Sequence, residues 1–263
     1  MKHTWLWDAT LMNTRGAEIL DFCHKNQVDV IFVQWSTRVL ASDYWAFISD
    51  ATALGIEVHA CLGEKTWYDP AGYSTISGKL ADIIGFQEAA AVTERFTGIH
   101  FDIEPHTLPE WQADQAGTAA KWMQTVDMYT ADVRKMGLQL SASVPFSIAN
   151  VSDPLDGTVA AHMMRQHDKV VVMSYRDFAL GPDSITEHAK PFLEQAEIAQ
   201  MPNVVVIAVE TKDTSEGGKL TFAQEGKLVM YQQLRLVKFF AKQYRSYAGT
   251  AIHAVNYWMD LQL

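Results

Sequence analysis

Two hydrophobic patterns alternate along the chain of 263 residues. Eight short runs are rich in β-branched and aromatic residues, as buried strands are. The segments between them are longer and carry apolar residues at the spacing of a helix face. The predicted strands span residues 4–8, 28–35, 56–62, 98–104, 138–144, 169–175, 203–209 and 251–258. The predicted helices span residues 14–26, 43–54, 86–96, 112–136, 155–167, 184–200 and 222–246.

This alternation predicts a parallel sheet, because a strand that follows a helical crossover runs in the same direction as the strand before it. Eight strand–helix units in about 250 residues match the size of a (β/α)8 barrel. A doubly wound open sheet is the runner-up, but it usually has fewer strands, and no predicted strand is followed by a glycine-rich phosphate loop. We therefore predict an α/β fold, a single (β/α)8 TIM barrel that occupies residues 1–263 as one domain.

The predicted strand at 98–104, with the sequence GIHFDIE, alternates polar and apolar residues. On a barrel strand, successive side chains point into and out of the barrel, so His100, Asp102 and Glu104 are expected inside. Glu104 should lie at the C-terminal mouth, where TIM barrels build their active sites, because Pro105 ends the strand. Two neighbouring carboxyl groups raise one pKa, which favours a protonated Glu104 that acts as a general acid. The alternative is a buried polar network that only fixes the core.

The window 97–104, TGIHFDIE, resembles the strand-4 signature D-G-x-D-x-D-x-E of the family 18 glycoside hydrolases, the chitinase-like barrels. The glycine, Asp102 and Glu104 match, whereas a threonine and His100 replace the first two aspartates. The resemblance implies that Glu104 is the general acid and that Asp102 orients a substrate acetamido group, which acts as the nucleophile. His100 then either donates a hydrogen bond to Asp102 or marks a different chemistry.

Two further segments extend the resemblance. The family motif M-x-Y-D on strand 6 corresponds to residues 173–176, MSYR, with Asp177 one position after the expected acid. The family also ends strand 8 with a tryptophan that forms the floor of the sugar site, which corresponds to Trp258. The resemblance implies that Tyr175 donates a hydrogen bond to the acetamido group. Tyr175, Asp177, Trp258 and His100 are therefore expected to bind substrate.

A second acid, Glu210, ends the predicted strand 7. Together with the pair Glu104-Pro105 it resembles another clan of barrel glycosidases, which use an acid glutamate after strand 4 and a nucleophilic glutamate after strand 7. In this alternative Glu104 remains the acid and Glu210 attacks the sugar to give a covalent intermediate. Glu210 could instead only line the site.

Aromatic and histidine side chains lie near the predicted strand ends. Aromatic rings stack on sugars but also fill cores; the candidates are Trp7, Trp35, Trp67, Tyr68, Trp111 and Trp258. Of these, Trp35 joins the expected substrate-binding residues. Three histidines, at positions 59, 100 and 253, fall on predicted strands, but the first strand lacks the His-x-His pattern of metal-dependent barrel hydrolases. We therefore expect no metal and no cofactor.

The composition narrows the class of partner. A net charge of −10 argues against binding to nucleic acid or to an anionic membrane. No apolar run approaches the length of a membrane span, and the first residues lack an apolar signal segment. We therefore expect a cytoplasmic protein, although removal of a signal peptide would leave the same pattern. The two cysteines, Cys23 and Cys61, are expected to be reduced thiols.

The leading hypothesis is a glycoside hydrolase that cleaves a glycosidic bond in an oligosaccharide or polysaccharide. Its partner is then a carbohydrate substrate. A non-catalytic glycan-binding barrel is the alternative from another class, but chitinase-like proteins of that kind usually lack the glutamate found here at position 104. A metal-dependent hydrolase is a third hypothesis. The sequence indicates neither the sugar and linkage nor the oligomeric state.

Overall fold

The computed structural model describes residues 1–155, 157–214 and 217–263. Eight parallel strands close into a barrel in which each strand pairs with its neighbours in the sequence, and the last strand pairs with the first. The strands are β1 (Lys2–Leu6), β2 (Val30–Gln34), β3 (Glu57–Leu62), β4 (Gly98–Phe101), β5 (Gln139–Pro145), β6 (Lys169–Met173), β7 (Val205–Glu210) and β8 (Tyr247–His253). The prediction of a (β/α)8 barrel is confirmed.

Helices cover the outside of the barrel and connect its strands. They are α1 (Leu11–Lys25), α2 (Ala41–Ala53), α3 (Tyr73–Ala89), α4 (Pro109–Ala113), α5 (Gln115–Met136), α6 (Val159–Gln166), α7 (Ile185–Ile198), α8 (Gly226–Ala241) and α9 (Val255–Asp260). The predicted helix 155–167 crosses residue 156, which lies outside the described residues. None of the described helices is both long and apolar enough to cross a membrane.

Two predicted elements are misplaced. The third helix was expected at 86–96, whereas α3 occupies 73–89 and only one 3-10 turn follows it. Two glycines inside α3, Gly78 and Gly85, weaken its helical pattern in the sequence. The eighth strand was expected at 251–258, but β8 ends at His253 and the chain turns at once into α9.

The core has two layers. The larger layer lies between the strands and the helices, and it contains Ile99, Phe101 and Ile103, as the alternation in this segment predicts. The smaller layer fills the barrel interior around Trp5 and Phe32. Both cysteines are buried and free. Side chains of the same strand therefore serve both layers, and those that point inward stack from the bottom of the barrel to its mouth.

Candidate active site

A cleft of about 850 Å³ opens at the C-terminal ends of the barrel strands. It brings together the three acidic residues predicted from the sequence, Asp102, Glu104 and Glu210, with Tyr175. Its wall also includes Trp7, Ser143, Phe146, Arg176, Lys212, Asp213 and His253. A second groove of about 670 Å³ lies on the outer surface at α3 and α5, and none of the predicted site residues lines it.

Asp102 directly follows β4 and is held there by the neighbouring strand. Its backbone N–H donates to the Leu62 carbonyl at 2.8 Å. Gly63 permits this approach, since a Cβ atom at that position would lie 2.0 Å from the Asp102 carbonyl oxygen. Burial raises the pKa of Asp102, while His253 and a hydrogen bond from Ser143 act in the opposite direction. Its Oδ1 is buried and has no hydrogen-bond partner among the described residues. Asp102 therefore has an acceptor atom that the described residues leave unused.

Glu104 lies at the point where the chain leaves the strand direction. Pro105 follows it and begins a 3-10 turn, so the Glu104 side chain stands at the mouth, as predicted. That side chain is 35% exposed, compared with 12% for Glu210. His106 Nε2 lies 4.0 Å from Glu104 Oε1, and burial lowers the pKa of His106. Glu104 is therefore a carboxyl group that an incoming ligand can reach.

Tyr175 stands among the three acids. Burial raises the pKa of its hydroxyl well above the usual value, and the charges of Glu210, Asp102 and Glu104 raise it further. The hydroxyl therefore keeps its proton and is available as a hydrogen-bond donor. This residue is also packed against the interior layer of the barrel, which fixes its ring.

Glu210 is anchored through both of its oxygens. Oε1 accepts hydrogen bonds from the backbone N–H groups of Thr211 and Lys212, each at 2.7 Å. Oε2 lies 2.8 Å from His253 Nδ1. The Trp7 indole, which can only donate, lies 2.6 Å from His253 Nε2, so the imidazole proton is on Nδ1 and is donated to Glu210. A carboxylate that accepts three hydrogen bonds is better suited to a structural role in the cleft wall than to attack on a sugar.

His100 lies inside the barrel, as predicted, but below the cleft and without the expected direct bond to Asp102. It is fully buried, and its ring stacks on Phe32 with centroids 3.8 Å apart. Its two ring nitrogens each lie 2.8 Å from a hydroxyl oxygen, that of Ser141 or Ser143. Burial lowers the pKa of His100 well below 6.5, so the ring is neutral. Ser143, which interacts with both residues, stands between His100 and Asp102.

Trp258 does not form the floor of the cleft. It is fully buried in α9, where its ring packs edge-on against Phe22 and its Nε1 donates to the Tyr231 hydroxyl at 3.1 Å. The expectation placed it at the end of a strand that in fact ends at His253. His253, which was not among the predicted site residues, faces the cleft from that position.

Trp35 and Asp177 also lie outside the cleft lining. Trp35 packs against Tyr44 and Phe96 in the outer layer, with ring centroids 5.0 and 5.8 Å apart. The backbone N–H of Asp177 donates to the carbonyl of Lys219. The position before Asp177 lines the cleft instead, and it is an arginine. The sequence signal for this arginine was its place in the strand-6 motif.

The described part of the chain contains no group of three or more His, Cys, Asp or Glu side chains that could hold a metal ion. Of the three histidines considered as metal ligands, His59 and His100 pack against Phe32 in the barrel interior, whereas His253 faces the cleft.

No protein-family model and no curated protein sequence matches the chain. Solved structures do. The family 18 chitinase from Cycas revoluta in complex with (GlcNAc)3 is 15% identical with a TM-score of 0.62, over 99% of this chain and 96% of that one. The fold is chitinase-like. The chitinase from Chromobacterium violaceum ATCC 12472 has a TM-score of 0.64 at 14% identity, over 98% and 96% of the two chains. The PgaB (BpsB) glycoside hydrolase domain from Bordetella bronchiseptica has a TM-score of 0.61 at 12% identity, over 98% and 95%. At these identities the likeness concerns the chitinase-like barrel itself.

Proposed function

We propose that the protein is a glycoside hydrolase in which Glu104 is the general acid. The observation that carries this proposal is the convergence of Glu104, Asp102 and Tyr175 on one cleft at the C-terminal mouth of the barrel. The cycad chitinase of the same fold was solved with (GlcNAc)3 bound. Oligosaccharides of N-acetylglucosamine are therefore the first substrates to test.

In the proposed reaction, the carboxylic acid of Glu104 protonates the glycosidic oxygen as its bond to C1 breaks. The acetamido oxygen of the same sugar attacks C1 and forms a cyclic oxazolinium intermediate. Asp102 accepts a hydrogen bond from the acetamido N–H and stabilises the positive charge, and Tyr175 donates to the acetamido group. Water then attacks C1 while the Glu104 carboxylate removes its proton. The sugar is released with its configuration retained.

The first test replaces Glu104 with glutamine, which keeps the shape but cannot supply a proton. We expect Glu104→Gln to lower turnover of a fluorogenic di-N-acetylchitobioside by about 100-fold or more, since general acid catalysis contributes about 10²–10⁴. Glu110→Gln is the matched control, because Glu110 is an exposed glutamate of α4. Equal rates for the two variants would sink the proposal. A wild-type protein that binds the sugar without turning it over would instead support a glycan-binding barrel.

The runner-up mechanism uses Glu210 as a nucleophile. The protein already donates three hydrogen bonds to the Glu210 carboxylate, and this observation favours assistance by the substrate. A matched glycoside with a hydroxyl in place of the acetamido group separates the two mechanisms. We expect no hydrolysis of this glycoside, and no covalent adduct by mass spectrometry with a second analogue in which fluorine replaces that hydroxyl at C2. A trapped adduct on Glu210 would establish the double displacement.

A further inference from the structure

Arg176 is a charged residue of the cleft that the proposed reaction does not use. It follows Tyr175 and lines the cleft beside it. In the strand-6 motif of the family 18 hydrolases this position is an aspartate, which accepts hydrogen bonds when ionised. The chain has placed a guanidinium there, which can only donate. The chemistry presented to a ligand at this position is therefore reversed.

The guanidinium is held rigidly. Nη1 donates to the Tyr175 carbonyl at 2.7 Å, and Nη2 lies 2.5 Å from Asp183 Oδ1. The guanidinium carbon also lies 5.5 Å from the centre of the Phe146 ring. His188 supports this group from behind, since it stacks on Phe146 at 3.7 Å and contacts Asp183 at 2.9 Å. A donor that is already fixed in place loses little conformational freedom when it binds a ligand.

The hydrogen-bonding capacity of Arg176 is only partly used. A guanidinium has five N–H donors, and the hydrogen bonds to Tyr175 and Asp183 account for two of them. Arg176 is only 8% exposed, and its Nε is buried without a partner among the described residues. Buried donors are almost always paired in native proteins. The unpaired donors of a residue that lines the cleft point to an acceptor on the ligand.

The charge of the cleft defines the kind of acceptor. Four carboxyl groups line the same cleft, those of Asp102, Glu104, Glu210 and Asp213, whereas Arg176 and Lys212 are the lining Lys and Arg residues in the described part of the chain. An anionic ligand would meet this excess of acidic groups. A neutral oxygen of a sugar, in a hydroxyl or an acetamido group, accepts a hydrogen bond without that repulsion.

We propose that Arg176 determines specificity by donating a hydrogen bond to a hydroxyl oxygen of the sugar that binds beside Tyr175. This inference rests on the proposed function only in that the ligand is a carbohydrate. It has a distinct chemical consequence. A donor such as Arg176 tolerates replacement of the sugar hydroxyl by fluorine better than replacement by hydrogen, because fluorine still accepts. A carboxylate at the same position would need the hydroxyl proton and would reject both replacements.

The experiment measures binding rather than turnover. The protein carries Glu104→Gln, and calorimetry gives its affinity for (GlcNAc)3 and for analogues in which each hydroxyl is replaced in turn by hydrogen or by fluorine. At one position we expect the hydrogen analogue to bind about tenfold more weakly, as for a lost hydrogen bond to a charged group. We expect the fluorine analogue at that position to recover part of the loss.

The same series is measured after a second change, Arg176→Met. This variant should bind (GlcNAc)3 about tenfold more weakly and no longer distinguish hydrogen from fluorine. Arg176→Lys keeps the charge and should restore part of the affinity. Arg134→Met, an exposed arginine of α5, is the matched control and should behave as the parent. Unfolding midpoints of all variants show whether a change in affinity reflects lost structure.

Three results would overturn the inference. They are a parent protein that does not bind (GlcNAc)3, an Arg176→Met variant that binds every analogue as the parent does, and a fluorine analogue that is as weak as the hydrogen analogue at every position. Failure of the proposed catalytic function is separate. If Glu104→Gln leaves turnover unchanged while the analogue series behaves as expected, the general acid is wrong and the role of Arg176 stands.

Discussion

The barrel interior holds titratable side chains at two levels, and the two levels differ in how closely those side chains are packed. At the lower level, the rings of His3, His59 and His100 surround Phe32, with centroid distances of 5.6, 5.7 and 3.8 Å. These side chains are almost completely buried. At the upper level, Asp102 and Glu104 line an open cleft. One level is packed and the other is accessible to a ligand.

The contrast shows that the inward alternation of polar residues does not by itself indicate function. The segment that contains β4 supplies both levels, since His100 belongs to the lower one and Asp102 and Glu104 to the upper one. At the lower level, burial keeps His100 neutral, which removes the cost of a buried charge, and two serine hydroxyls contact its ring nitrogens. At the upper level, Asp102 Oδ1 is left without a partner among the described residues. Depth in the barrel therefore decides which polar residue supports the core and which faces a ligand.

The largest expected effect is on the upper level. Asp102→Asn should lower turnover of the chitobioside by about 100-fold or more, since it removes the charge proposed to stabilise the intermediate. Its free energy of unfolding at pH 7 should stay equal or rise. Burial raises the pKa of Asp102, so the ionised form costs stability at that pH and the neutral amide does not.

Rate and unfolding by urea are measured on the same preparations, with Asp50→Asn, an exposed aspartate of α2, as the control. A large loss of stability in Asp102→Asn would place this carboxylate with the structural residues. The comparison between the two levels would then fail.

A substitution at the lower level should reduce stability, whereas Asp102→Asn at the upper level should not. Phe32→Ala removes the ring around which the three histidines pack and should lower the free energy of unfolding by about 3–5 kcal/mol. Phe239→Ala is the matched control, because Phe239 is 70% exposed. It should change stability by about 0.5 kcal/mol or less. If urea unfolding followed by tryptophan fluorescence gives both variants the same midpoint, the lower level is not a packed structural layer.

The same two levels explain how much the sequence predicted. The alternation of strand and helix segments was sufficient to predict the barrel, and the period of two along a strand placed Asp102 and Glu104 toward its mouth. Glu210 was expected there because it ends a predicted strand, whereas Tyr175 was expected to bind substrate from the resemblance to the strand-6 motif. The anchoring of Glu210 by His253 could not be predicted in this way. It depends on the register of β7 and β8, in which the two residues are direct partners.

The errors at Trp258 and Trp35 arose where aromatic residues follow the end of a strand. The run AVNYW was predicted to be the end of strand 8, but the strand ends at His253. A helix starts two residues later, and Trp258 is a buried residue of that helix. Trp35 follows β2, yet its ring turns into the outer layer. An aromatic residue just beyond a strand end can face either layer, and only the backbone path decides between them.

The smallest expected effect concerns pH, and here the two levels have opposite signs. Burial lowers the pKa of His3 from 6.5 to about 3, so between these values the unfolded chain binds more protons than the folded one. Stability from this residue is complete above pH 6.5 and falls as the pH decreases toward 3, by up to about 1.4 kcal/mol per pH unit. The raised pKa of Asp102 acts the other way, because protonation on acidification relieves its buried charge.

These contributions are separated by measuring the free energy of unfolding of wild type, His3→Gln and Asp102→Asn between pH 7 and pH 4. At each pH, the value of each variant is compared with that of wild type. The destabilisation of wild type by acid should be smaller in His3→Gln and larger in Asp102→Asn. His24→Gln alters an exposed histidine of α1 and should reproduce the wild-type slope. If both His3→Gln and Asp102→Asn changed the acid destabilisation in the same direction, the two levels would not differ in the sign of their pH dependence. The division into a structural and an accessible level would then have no electrostatic basis.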